Sequence, residues 1–297
     1  MRAALLTDPR ALGLRRTEVR TAVGTLVVHV GRGADGPATV LLHGAAGSWT
    51  TWTPLLAASD RAGSPITDVI AIDLPGWGGS AGPVPPIADL AAAIAQLALD
   101  LGYGRWRLLG HSLGGFVALD LATRRPDAVL GVGLVSPTGP AVVDAVRRPL
   151  RGSPGLPWFA GMRLAMGALG LLPREGRGLL AVLGRTGLLG PLTGPLFART
   201  PDRSVVDALA QEARPRAFHA ATLAAARYDV DRWRDIRCPV RSVRGARDVF
   251  VGRRDADALR SLLPDFAETV LADAGHFAAV EQPDAVLAAL TPVLLPS

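Results

Sequence analysis

Apolar residues fall along this chain in two alternating patterns. Ala38 to Leu42, Asp68 to Leu74, Arg105 to Leu109 and Val129 to Val135 are short, nearly continuous apolar runs bounded by Gly, Pro, Ser or Asp. That is the pattern of strands buried on both faces. Arg15 to Val23 and Thr25 to Val30 alternate loosely around Gly24, which predicts a two-stranded hairpin at the start. Ile87 to Leu101 and Phe116 to Arg124 carry helical spacing, the first with Asp89 near its start and Gly102 just past its end.

From Thr138 to about Val230 the strand-like runs stop, and Gly and Pro cut the sequence into short helical pieces rich in Leu, Ala and Arg. Alternation resumes with Pro239 to Arg244, a helix over Asp255 to Leu263, a strand near Glu268 to Leu271 and a last helix over Asp284 to Leu295. Strands alternating with helices predict an α/β fold, a mainly parallel central sheet with helices on both faces. The expected division is a core of residues 1–137 and 231–297, with 138–230 as a helical insertion.

Composition removes several classes. At 297 residues, 49% of them hydrophobic and 20% charged, the chain can bury a substantial core and does not read as disordered. The net charge of +6 invites a nucleic-acid reading. Every basic residue is arginine, however, and lysine and asparagine are both absent, as GC-rich coding DNA would produce. The arginines are scattered rather than gathered in a stripe with aromatics, so no nucleic-acid partner is expected. The single cysteine, Cys238, reads as a small buried residue and fits a reducing compartment such as the cytoplasm. Met1 to Arg16 lacks the pattern of a signal peptide. The longest apolar stretch, Leu156 to Leu172, is broken by Pro157, Gly161, Arg163 and Gly167, so no membrane span is expected.

Candidate chemistry centres on Trp106 to Leu119, where a strand runs into Gly110-His111-Ser112-Leu113-Gly114 and a helical pattern follows at once. Glycines two before and two after the serine permit a sharp strand-to-helix turn with Ser112 at its apex. Gly78-Gly79-Ser80-Ala81-Gly82 has the same spacing, but the prolines that follow cannot open a helix. A serine nucleophile needs a base and a group to orient that base. Of five histidines, His29 and His111 read as packed, and His43 as a support for its loop. His219 falls in an Ala-rich helix of the insertion. His276 follows a strand in Ala272 to Phe277, in the kind of loop where α/β sheets gather their sites. Asp248 stands after the strand ending at Arg244; Asp73, Asp229 and Asp273 are the competing carboxylates.

The order Ser112, Asp248, His276 around a Gly-x-Ser-x-Gly turn resembles the α/β-hydrolase family. His43 to Ser48, Asp73 to Ser80 and Asp273 to His276 are further matches in the same order. The resemblance implies a helical cap in the insertion and a Ser112–His276–Asp248 triad. It also implies an oxyanion hole from the backbone N–H groups of Ala45 and Leu113. It implies hydrolysis of a small to medium hydrophobic ester through an acyl-enzyme, with no metal or organic cofactor. Hydrolysis of carbon–carbon bonds, thioester cleavage, acyl transfer or ligand binding without catalysis would keep the same architecture. Trp158, Phe159, Met162, Phe197 and His219 are the expected pocket residues. The arginine turns Arg147-Arg148 and Arg174 to Arg177 are expected to be solvated. Oligomeric state is not set by the sequence.

Overall fold

The computed structural model describes residues 3–152, 156–172, 182–183, 186 and 193–294. Eight strands form one sheet: β1 (Leu14–Thr21), β2 (Gly24–Gly31), β3 (Ala38–Leu42), β4 (Val69–Ile72), β5 (Trp106–His111), β6 (Val129–Val135), β7 (Val240–Gly245) and β8 (Phe266–Leu271). Their order is β1-β2-β4-β3-β5-β6-β7-β8. β1 pairs antiparallel with β2, and β2 antiparallel with β4. Every later pair is parallel.

The predicted apolar runs are the central strands, and their two-residue period feeds two cores. Val40, Leu42, Ile70, Ile72, Leu108 and Leu134 face one side of the sheet. They pack there against helices α2 (Ile87–Asp100), α3 (Leu113–Arg124) and α8 (Arg253–Leu262). Leu41, Ala71, Leu109, Val135 and Val243 face the other side, under α1 (Thr53–Arg61) and α9 (Pro283–Leu294). Helix α1 is an element the apolar pattern did not announce. It follows a 3-10 turn over Trp49–Trp52 and is held by Leu55 and Leu56, both fully buried.

Between β6 and β7 the described residues contain no strand. They include α4 (Pro140–Arg147), α5 (Pro157–Leu171), α6 (Arg203–Glu212) and α7 (Pro215–Arg227). Their apolar faces meet one another and the top of the sheet through Val142, Phe159, Phe218 and Phe250. Among the described residues no helix is long and apolar enough to cross a membrane.

Candidate active site

The parallel strands all end on one side of the molecule, and the loops that leave them build the site. β5 ends at His111, α3 starts at Leu113, and Ser112 between them has φ +49 and ψ −116. A positive φ is costly for a side chain other than glycine, and such strain persists only where the surroundings enforce it. The surroundings here are the Ser112 N–H donating to Val135 O at 3.1 Å, and Ser112 O accepting from Gly115 N and Thr138 N, both at 3.0 Å. Gly114 is required because a methyl there would overlap the Leu42 carbonyl, so α3 starts in contact with the end of β3.

His276 and Asp248 reach the site from β8 and β7. Gly245 has no room for a side chain against Ala274 O, which lets the two loops approach. The Nδ1 atom of His276 lies 3.1 and 3.0 Å from the two carboxylate oxygens of Asp248. Asp248 Oδ1 also accepts from the amides of Phe250 at 2.8 Å and Val251 at 3.1 Å. Burial alone would raise the Asp248 pKa. The charge and hydrogen bond of His276, with the Phe250 amide, outweigh that and hold it below the usual carboxylate range. An ionised Asp248 accepts a hydrogen bond from the Nδ1–H of His276, the tautomer that leaves the lone pair on Nε2.

The backbone of His276 is clamped on both sides. Its N–H donates to Leu196 O at 2.8 Å, and its carbonyl accepts from His111 Nε2 at 3.0 Å. Burial, reinforced by the neighbouring His276, lowers the His111 pKa to about 3, so His111 is the neutral donor this contact needs. Glu281 joins the same region. Its Oε1 accepts from Ala198 N at 2.8 Å and Arg199 N at 3.1 Å, and its Oε2 from Gly275 N at 2.6 Å.

Ser112 and His276 line one cavity with Ala45 and Leu113. It offers about 90 Å³ to the centres of water-sized atoms. The rest of its wall is largely apolar and includes Val142, Phe159, Met166, Phe218, Phe250 and Phe277. The Ser112 hydroxyl pairs with Thr138 Oγ1 at 3.4 Å and makes no hydrogen bond to His276. The N–H groups of Ala45 and Leu113 have no acceptor among the described residues. Two free amides beside a serine hydroxyl can receive a developing oxyanion. Among the described residues no group of three or more His, Cys, Asp or Glu side chains could hold a metal ion.

Of the expected pocket residues, Phe159 and Met162 line the cavity and three others do not. Trp158 is 45% exposed, because one step along α5 turns it outward from Phe159. Phe197 is buried but stacks on Phe277 with ring centroids 5.1 Å apart, behind the cavity wall. His219 is exposed, and its neighbour Phe218 points in instead. The missed residues Phe218, Ala221, Thr222 and Ala225 repeat at three- and four-residue spacing on one face of α7, a pattern present in the sequence. Thr138 was also readable, since it leaves β6 beside the end of β5.

The remaining candidates are structural. Asp73 fixes its turn by accepting from Trp49 N and Gly79 N, each at 2.8 Å. His43 donates Nδ1–H to Gly44 O at 2.7 Å and accepts at Nε2 from Leu74 N at 2.9 Å, which ties two loops together. Asp229 caps a 3-10 turn through the Asp231 amide, and Asp273 pairs with Arg199 at the surface. Burial pushes the Cys238 thiol up to about 11, so it stays protonated. Arg147 bonds the carbonyls of Ala226 and Tyr228. Arg174 to Arg177 lie outside the described residues.

A parallel sheet with a strained serine turn between strand and helix, and an aspartate–histidine pair arriving from later strands, defines a class of enzyme fold. Residues 39–289 match the model of the alpha/beta hydrolase family, and the chain belongs to that family as an α/β-fold hydrolase. It is 32% identical over 257 residues to a pimeloyl-[acyl-carrier protein] methyl ester esterase of Aromatoleum aromaticum. That match covers 84% of this chain and 94% of the relative. A putative carbamate hydrolase RutD of Escherichia coli is 29% identical over 261 residues, with 84% and 88% covered. Carboxylesterase CesB of Bacillus subtilis shares the fold, with a TM-score of 0.70 at 17% identity over 97% of this chain and 95% of that one.

Proposed function

We propose that this chain is a serine hydrolase that cleaves carboxylic esters of small to medium hydrophobic acids through an acyl-enzyme. The observation that carries the reading is the pairing of His276 Nδ1 with Asp248, on a cavity wall shared with Ser112. When substrate enters, the Ser112 hydroxyl turns from Thr138 to His276 Nε2, which takes its proton as Oγ attacks the carbonyl carbon. The N–H groups of Ala45 and Leu113 hold the tetrahedral oxyanion. His276 then returns the proton to the leaving alkoxide, and the alcohol departs. Water, deprotonated by the same imidazole, attacks the acyl-enzyme and frees the acid. Asp248 keeps the imidazole in the needed tautomer and stabilises its charged form.

The wall, apolar but for Ser112, Thr138, Arg214, Thr222 and His276 among the described residues, suits an uncharged acyl chain. Residues 138–230 act in this reading as a cap that closes over that chain. The buried single cysteine suits the cytoplasm. Both fuller-length relatives above carry hydrolase names, which favours hydrolysis over acyl transfer.

The test is covalent labelling with a fluorophosphonate, read beside turnover of aryl esters of increasing acyl length. Wild type should label and hydrolyse. Ser112→Ala should lose the label and about 10⁶-fold in kcat. Persistent labelling of Ser112→Ala would move the nucleophile elsewhere.

A further inference from the structure

Helix α5 is apolar on both its inward and its outward face. Its inward residues Phe159, Met162 and Met166 line the cavity. Its outward residues Trp158, Leu164 and Leu171 are 45, 77 and 82% exposed, with Gly161, Ala165 and Ala168 exposed between them. The one charged residue of the helix, Arg163, sits between the two faces and not on the outer one. A surface helix ordinarily places charge toward water, and one that is hydrophobic all round needs apolar surroundings on both sides. Leu150, in the short helical turn Pro149–Gly152 that precedes α5, is 93% exposed.

The sequence around this face is strongly basic, with Asp144 paired to Arg148 at 3.7 Å. The exposed Arg148 and Arg151 flank Leu150. In sequence, residues 145–200 hold eight arginines against the single acid Glu175, a net +7 in a chain whose total is +6. All of the excess positive charge therefore belongs to the stretch that carries the exposed apolar helix. Exposed Trp and Leu beside arginine is the composition of a segment that lies in the interface of an anionic bilayer. With 15 residues, α5 is about 22 Å long, short of the roughly 30 Å hydrocarbon core, so it can rest on a bilayer and not span it. A phosphate polymer would use the arginines and leave the leucines in water.

We propose that the outer face of α5, with Leu150, docks on a lipid bilayer surface that carries anionic headgroups. Because α5 also roofs the cavity, docking sets the Ser112 cavity one helix diameter from the acyl chains. The docking is read without turnover, so it stands or falls separately from the ester reading.

The experiment is co-sedimentation of the full chain with vesicles of phosphatidylcholine alone, or of phosphatidylcholine mixed with phosphatidylglycerol, at low and high salt. Wild type should bind the mixed vesicles, and bind less when salt rises or the anionic lipid is omitted. The double variant Leu164→Asp/Leu171→Asp should lower the vesicle partition coefficient about tenfold or more, and Trp158→Ser should weaken it without relying on buried charge. Arg148→Glu/Arg151→Glu should affect only the mixed vesicles. Hydrolysis of a water-soluble aryl acetate should stay within about twofold in the leucine variant, since neither residue lines the cavity. Absence of vesicle binding, or binding that these substitutions leave unchanged, would overturn the proposal. So would a lipid-independent dimer, seen by sedimentation, that Leu164→Asp/Leu171→Asp dissolves, because the face would then belong to a second copy.

Discussion

Burial and close neighbours fix the charge of His43, His111, Asp73 and Asp248. Asp248 accepts from His276 and from two amides, so it stays ionised in a setting where burial would otherwise neutralise it. Asp248→Asn keeps an acceptor for the amides but presents N–H groups toward His276 and favours the wrong tautomer. Its kcat should fall by about 10⁴-fold with little change in Tm. Near-normal turnover would give the role to another carboxylate. The buried His111 and His43 are held neutral, His111 with a pKa of about 3 and His43 also lowered by burial. The unfolded chain takes up protons there near pH 6.5 and the folded chain does not, so acid weakens the fold. The loss attributable to His111 should reach about 1.4 kcal/mol per pH unit below pH 6.5. Asp73 and Asp248, whose folded pKa values are lowered, lose their stabilising effect only below about pH 4. Urea unfolding between pH 7 and 5 therefore separates the histidines from Asp73 and Asp248. Burial raises the pKa values of Asp255, Glu268 and Glu281, which sets them against the histidine slope. His111→Gln should flatten the pH slope there, and an unchanged slope would refute the assignment.

At the scale of elements, the outcome turned on helical phase. Composition named Trp158, Phe197 and His219 as pocket residues because of their types. A difference of one residue is 100° on a helix, which put Phe159 and Phe218 inside and their neighbours outside. Serine, aspartate and histidine were readable because each follows a strand, and loops at the ends of parallel strands share one side of a sheet. Helix α1 was not, because its formation depends on burial of Leu55 and Leu56 more than on local preference. A link invisible in sequence is Glu281, which ties Ala198 and Arg199 of the inter-strand segment to Gly275, next to His276. Glu281→Ala should free that loop and cut kcat roughly tenfold or more, since small displacements of a base are costly. The same variant should lower Tm by several degrees. Glu281→Gln, which keeps one acceptor oxygen, should recover part of both. A stability loss with kcat intact would limit Glu281 to a structural role.

Over the whole molecule, the sheet is what the sequence made most legible, because each central strand is buried on both faces and reads as an unbroken apolar run. The cavity was least legible, since it is closed by four helices whose mutual placement no local pattern specifies. Met166, on α5, is one of the side chains that line the cavity. Met166→Trp should fill part of the cavity and lower kcat/KM for long acyl esters about tenfold, while leaving the acetyl ester near wild type. An equal loss for every chain length would place the acyl group elsewhere.

The adjacency of β6 and β7 sets an order of events as the chain is made. Val132 pairs with Val240, so more than one hundred residues must be synthesised before the sheet can extend past β6. Loop closure over such a length adds little free energy, because its cost grows only with the logarithm of loop size. Its effect is on timing. The strained serine turn lies in the first half of the chain, while Asp248 and His276 lie in the last fifty residues. On the mechanism proposed above, a nascent or truncated chain holds Ser112 without His276 to take its proton, and reactivity is withheld until the later strands are in place.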